Sequence, residues 1–312
     1  MRRSTVHPLG RILLWAATLA ATCFAIFLIL DVLPGDAASQ QLGMKATPEL
    51  LAARRHDLGL DRPVILRFGE WFTGLFSGDM GTVLATGQPV SAMIAGPLSR
   101  SAILVVLGLA GIAIVGVGGG ILAGVRSGSR TDRVLSSWAL SIICVPEFVI
   151  GTFLVLILAT WLHLFPAVSL VPIGGSMLSR PAALALPAIT LILVGSATLL
   201  RQVRALVAQQ AERPHVEAAR IAGLREATIL RSHLLPGAVA PIAQACAVIV
   251  PYVVGGTVVI ERVFAFPGLG SVLVSAVGNR EPELLMSCVL IVVGLSLMAY
   301  TCADALRRRG RA

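Results

Sequence analysis
Long uncharged stretches alternate along this chain with shorter, arginine-bearing connections. A bilayer core of about 30 Å takes around 20 apolar residues in a helix, because each residue rises about 1.5 Å. Six segments meet that length, at residues 12–32, 101–125, 134–162, 182–200, 238–260 and 284–303. The clearest, 101–125, holds no ionisable group. The pattern predicts an all-α, polytopic membrane protein with six transmembrane helices, built as one membrane-embedded domain.

Composition agrees with that reading. Of 312 residues, 56% are hydrophobic and 13% charged, against about 25% charged in an ordinary soluble domain. The net charge of +9 raises nucleic acid as a partner; the distribution of charge answers it. With the N-terminus inside, sixteen of the 25 basic residues fall on inner segments against five acids, while the outer segments come out close to neutral. Excess arginine on cytoplasmic flanks is a signature of membrane orientation, so no nucleic acid is needed to explain the basicity. The expected layout is a cytoplasmic N-terminus at 1–11, an extracytoplasmic segment at 33–99, a cytoplasmic loop at 201–237 and a cytoplasmic tail at 304–312. A cleaved signal peptide is disfavoured, since the first apolar run of about 20 residues exceeds the 7–15 of a signal core. Cys23, Cys144, Cys246, Cys288 and Cys302 lie in apolar stretches without metal-ligand spacing and read as small packing residues.

Within 33–99, Thr47-Pro48-Glu49 has the form of a helix start, and Asp61-Arg62-Pro63 repeats it before an aromatic-rich run ending at Phe76. That run reads as an amphipathic helix packed on the outer face. In the second span Gly116, Gly120 and Gly124 recur every four residues, which puts them on one helix face and predicts close approach of a neighbouring helix. Glu147 follows Pro146 near the middle of the third span. A carboxylate there is costly and must face protein or water. Two readings stay open: a lining residue of a translocation path, or a structural partner for a cation or a neighbouring helix.

The loop between the fourth and fifth spans is richest in signals. Pro214 suits a helix start, Glu217 sits early, where the helix dipole favours an anion, and Gly223 can take the left-handed conformation that ends a helix. Glu217-Ala218-Ala219, Gly223 four residues later, and Leu235-Pro236 together resemble the EAA loop of binding-protein-dependent ABC importer permeases. His233 stands where that pattern has isoleucine. The likeness extends along the chain to the dipeptide/oligopeptide branch, through Leu33-Pro34-Gly35-Asp36, Leu58-Gly59-Leu60-Asp61-Arg62-Pro63, Ser77-Gly78-Asp79-Met80-Gly81, Val145-Pro146-Glu147-Phe148, Arg201-Gln202-Val203-Arg204, Phe264-Ala265-Phe266-Pro267-Gly268-Leu269-Gly270 and Arg280-Glu281-Pro282.

The resemblance implies a type I ABC importer permease of the bacterial inner membrane, with both termini cytoplasmic, forming half of a peptide translocation pore. Implied partners are a second permease, as a heterodimer, two ATP-binding subunits, an extracytoplasmic substrate-binding protein and lipid. The loop becomes a coupling helix, with Val216, Glu217, Ala218, Ala219, Arg220 and Gly223 as the ATPase contact. Glu147 becomes the translocation-path candidate, and Phe266, Pro267 and Gly268 an outer loop near the pore mouth. Relatives in the branch also carry nickel or glutathione.

No catalytic residue, metal site or cofactor is expected in the chain itself; ATP and Mg belong to the partner subunits. A phosphate-binding loop needs a lysine in G-x-x-x-x-G-K-[ST], and the single lysine, Lys45, lies in no such frame. A self-contained secondary transporter would carry several intramembrane ionisable groups; here only Glu147 is deep. An intramembrane enzyme finds neither H-E-x-x-H nor a G-x-S-x-G frame around Ser196, and His163, His215 and His233 lie at or beyond span ends.

Overall fold
The structure, a computed structural model, describes residues 8–43, 46–170 and 177–309. Arg2, Arg3, Lys45 and Arg311, which entered the reading of orientation and nucleotide binding, lie outside the described residues. In chain order the helices are α1 (Pro8–Val32), α2 (Ala37–Leu42), α3 (Pro48–Asp57), α4 (Val64–Gly74), α5 (Val90–Ile112), α6 (Gly118–Val125), α7 (Arg130–Ile143), α8 (Glu147–Leu154), α9 (Pro181–Ala211), α10 (Pro214–Ile221), α11 (Glu226–Ile229), α12 (Leu235–Val263), α13 (Leu269–Gly278) and α14 (Pro282–Arg309). Short π-helical segments join α5 to α6 and α11 to α12, and carry α8 on to Trp161. Among the described residues there is no strand, only an isolated bridge between Thr82 and Pro89; the fold is all-α, as expected. Among the described residues five helices are long and apolar enough to cross a bilayer, six if α7 and α8 count as one broken span.

The long helices extend past the apolar stretches that announced them, α5 and α9 among them by about three turns. The second candidate span begins at Val90 and the fourth ends at Ala211. Hydropathy marks where lipid stops, whereas backbone hydrogen bonding continues through good helix formers such as Arg201, Gln202 and Gln209. The third stretch, 134–162, is two arms bent by 101°. Pro146 accounts for the break: it has no N–H to donate, and it disfavours helical geometry at Val145.

The chain divides into two compact units. One runs to Ser99 and resumes from Gly268 to Gly294. Within it α3 starts at an N-cap, the Thr47 hydroxyl accepting the Leu50 N–H at 3.3 Å. Helix α4 starts after Pro63 without a side-chain cap. Its Phe68 and Trp71 pack with Cys23 and Phe27 of α1, and Phe68 meets Phe24 edge-on at 5.1 Å. Phe76 stays exposed. The buried Glu281 accepts the backbone N–H groups of Leu84 and Ala85 at 2.7 and 2.8 Å. Burial pushes its carboxyl above the usual range and these two donors hold it partly back.

The other unit spans Arg100–Pro267 and resumes at Leu295. Helix α9 is its hub: 67% of its most apolar window is buried, more than in any other candidate span. Helix α6 lies against it along the glycine stripe. A Cβ added to Gly120 would sit 2.6 Å from the Val203 Cβ, and one added to Gly124 2.7 Å from the Val207 Cβ. Such a distance is impossible for two carbons, so these positions require glycine. Gly118, on the far side of the same helix, faces nothing within 4 Å.

Candidate functional site
Two places in the second unit carry polar groups with no evident structural duty. The first is the helix-turn from Arg213 to Ile229. Pro214 occupies the first turn of α10, Glu217 lies near its start and Arg220 near its end, each sign matched to the helix dipole. Gly223 closes the turn in the left-handed region (φ +76°), its N–H donating to the Arg220 carbonyl at 2.9 Å. Leu224 then donates to the Ala219 carbonyl at 3.2 Å. Arg220 and Glu226 face each other across the turn at 3.4 Å.

Of the six residues expected to meet the ATPase, this turn brings all together but does not expose all. Val216 is fully buried and Ala219 nearly so, both against Ile229 of α11. Glu217, Ala218, Arg220 and Gly223 are open, and beside them stand Ile221, 82% exposed, and Leu224, 42% exposed. Sequence reasoning passed over these two. The signal was there: Val216 and Ala219 are spaced i, i+3, one face of a short helix, which sends Ile221 elsewhere.

The turn is tied to the segment that leads into α12, and α12 is tied to α9. The His215 imidazole Nε2 meets the His233 carbonyl at 3.1 Å, and the Gln210 amide near the end of α9 donates to the Gly237 carbonyl of α12 at 3.0 Å.

The second place is the break between α7 and α8. Glu147 opens α8, and its carboxylate lies over Gly256 of α12; a Cβ there would be 2.8 Å from Oε2. A groove of about 450 Å3 opens at this point, lined among others by Cys144, Phe148, Thr198 and Tyr252. Phe148 and Tyr252 are half exposed. Tyr252, Thr198 and Gly256 were not among the expected site residues, and no local pattern announces them, because three helices must fold together to assemble the groove.

The outer-loop candidates lie in the connection between α12 and α13. Phe266 is fully buried and donates its N–H to the Glu261 carbonyl at 2.8 Å. The Pro267 carbonyl accepts from Arg100 at 3.1 Å. Gly268 precedes α13 in extended geometry. Nearby, the buried Glu261 accepts the Ser101 hydroxyl in a short hydrogen bond. At the opposite end of α9, Asp132 takes both guanidinium nitrogens of Arg204, at 2.9 and 2.7 Å, together with the Gly128 N–H at 2.9 Å and the Ser136 hydroxyl at 3.1 Å. Among the described residues no group of three His, Cys, Asp or Glu is placed to hold a metal ion.

Comparison with known proteins gives consistent matches. Residues 116–311 match the family model described as binding-protein-dependent transport system inner membrane component, and residues 7–92 match the model of its N-terminal part. A putative peptide transport system permease protein of Brucella abortus is 32% identical over 285 residues, covering 89% of this chain and 91% of the relative. A probable peptide ABC transporter permease protein of Sinorhizobium fredii is 30% identical over 306 residues, covering 96% and 98%. A glutathione transport system permease protein of Pectobacterium atrosepticum is 30% identical over 274 residues, covering 88% and 87%.

Proposed function
We propose the function of this chain from one premise: it belongs to the family of binding-protein-dependent transport system inner membrane components. It is a multi-pass inner-membrane permease and not itself an enzyme; ATP is used by partner ATPases. The substrate class that the relatives' names support is peptide, the chain being the permease subunit of an ATP-driven peptide importer. A second reading within the same branch, glutathione, is favoured by the Pectobacterium relative; glutathione is itself a small peptide.

The observation that carries the mechanism is the α10 turn, compact, open on one side, packed on α11 and bonded through His215 to the π-helical segment that runs into α12, which Gln210 in turn ties to α9. Two cytoplasmic ATP-binding subunits grip this chain and a second, non-identical permease, each through such a turn. In this chain the seat is formed by Glu217, Ala218, Arg220 and Gly223 with the apolar Ile221 and Leu224, while Val216 and Ala219 hold the turn to α11. Closure of the ATPases on ATP and Mg pulls the turn. The pull reaches α9 and α12 and shifts the spans between inward- and outward-open states, a two-state equilibrium biased by differential contacts. An extracytoplasmic binding protein delivers the substrate to the outward-open state, both termini lie in the cytoplasm, and Glu147 lines the path.

Gly223→Val tests the seat. Gly223 has open space around its Cβ position but a left-handed backbone, so the substitution strains the turn by about 1–2 kcal/mol without disturbing the spans. The assembled transporter is expected to hydrolyse ATP while its peptide uptake collapses. Uptake at the parental rate by this variant, in proteoliposomes with all partner subunits, overturns the assignment.

A further inference from the structure
Glu147, half-buried, is set unlike the buried acids of its unit. Asp132 is bonded to Arg204, and Glu261 to Ser101. The Glu147 carboxylate has neither a hydrogen bond nor an ion pair among the described residues, and none of the residues lining its groove is cationic. The fold nevertheless makes a place for it. The chain breaks at Pro146 to begin a new helix at Glu147, whose N-terminus favours the anion. Gly256 is empty where any side chain would displace the carboxylate. Tyr252 and Phe148 stand beside it, both about half exposed and both opening into the same groove.

A carboxylate next to exposed aromatic rings in an apolar groove is the arrangement that recognises an organic cation: charge and hydrogen bonding come from the carboxylate, and the quadrupole of the ring faces adds to them. A resident metal ion does not fit, since the groove offers only the Glu147 carboxylate and the Cys144 thiol, and no group of three His, Cys, Asp or Glu gathers among the described residues. An anion is repelled. We infer that Glu147 and Tyr252 form a subsite for the ammonium group of a transported peptide, a way-station in the membrane between delivery and release. The inference rests on the peptide-importer reading, and it names which part of the peptide this chain holds. Binding there is transient by construction, because one carboxylate and one ring face hold an ammonium without enclosing it.

The test uses the complete transporter, with partner permease, ATPases and binding protein, in proteoliposomes during turnover. The probe is alanyl-alanyl-lysine, which carries both an α- and an ε-ammonium. Zero-length carbodiimide coupling joins a carboxylate only to an amine in contact with it, and mass spectrometry reads both the carboxylate and the nitrogen joined. The expected result is an amide between Glu147 and the tripeptide, with the linked nitrogen telling the amino terminus from the lysine side chain. Uptake by Glu147→Gln is expected to fall about tenfold, the factor that about 1.4 kcal/mol represents, with Glu147→Asp recovering part of it and Gly256→Ala lowering it by a smaller factor. If the tripeptide is imported but Glu147 is never coupled to it, or is coupled instead to a lysine of the second permease, the subsite is refuted while the importer reading stands. If the parental transporter imports no peptide and no glutathione, the importer reading fails, and the subsite falls with it.

Discussion
Asp132 and Glu147 are carried by the two arms of one broken helix, and their surroundings are opposite. Asp132 is almost fully buried, and two guanidinium bonds, a backbone N–H and a hydroxyl occupy its oxygens. Glu147 is half-buried beside a groove, and among the described residues no bond occupies its oxygens. An acid in an apolar protein is tolerated when its bonds are complete or when something from outside completes them. The Asp132 end is therefore a latch, joining the connection after α6 to α9 just above the turn that leads to α10. The Glu147 end opens into a groove, and the proposed subsite would have a transported ammonium complete it.

Asp132→Asn probes that contrast with the largest expected effect. It leaves the geometry intact but removes the charge that holds Arg204, and breaking a buried pair costs about 3–5 kcal/mol. Arg204 is one-third exposed, so the low end, about 3 kcal/mol, is expected, read as the unfolding midpoint of the purified complex in detergent. The double variant Asp132→Asn with Arg204→Gln should regain part of the loss, since no unpaired charge remains. A single variant as stable as the parent would remove the latch from the account.

Gly120→Val comes next. Overpacking a tight contact costs about 1–3 kcal/mol, and here the obstruction includes the Leu200 carbonyl oxygen, 2.9 Å from the added Cβ, which has no side-chain freedom to yield. The control lies on the same helix. Gly118→Ala meets nothing within 4 Å and, by helix propensity, should be neutral or stabilising by up to about 1 kcal/mol. Equal destabilisation by both would mean that α6 is intolerant of side chains for reasons other than its contact with α9.

Much of this was legible in the residues. Six apolar stretches, the glycines spaced by four, the Thr47 cap and the Pro214-to-Gly223 turn are local patterns, and local patterns set helices, caps and the faces they present. The latch and the groove are not local. Asp132 meets Arg204, and Glu147 meets Gly256 and Tyr252, only after α7, α8, α9 and α12 are in place, and nothing in the spacing of these residues announces the meeting. The break itself was half announced: Pro146 stood in view, yet a long apolar run read as one span, because hydropathy is blind to direction. Phe266 lies in the connection between α12 and α13, as the outer-loop reading has it, and the full burial of its ring is a matter of packing that no local pattern announces.

The smallest expected effect decides the comparison. Glu147→Gln keeps the shape of the side chain and deletes a charge that no described residue completes, so the loss of a favourable helix-terminus interaction, about 0.3–1 kcal/mol, is offset by relief of desolvation. Its unfolding midpoint in the assembled complex should stay within about 0.5 kcal/mol of the parent, while Asp132→Asn falls far below. Glu147→Gln destabilising the complex as much as Asp132→Asn would mean that a cation of the partner permease already completes the carboxylate. Glu147 would then be a second latch between subunits, and the two arms of the broken helix would differ only in which chain supplies the cation.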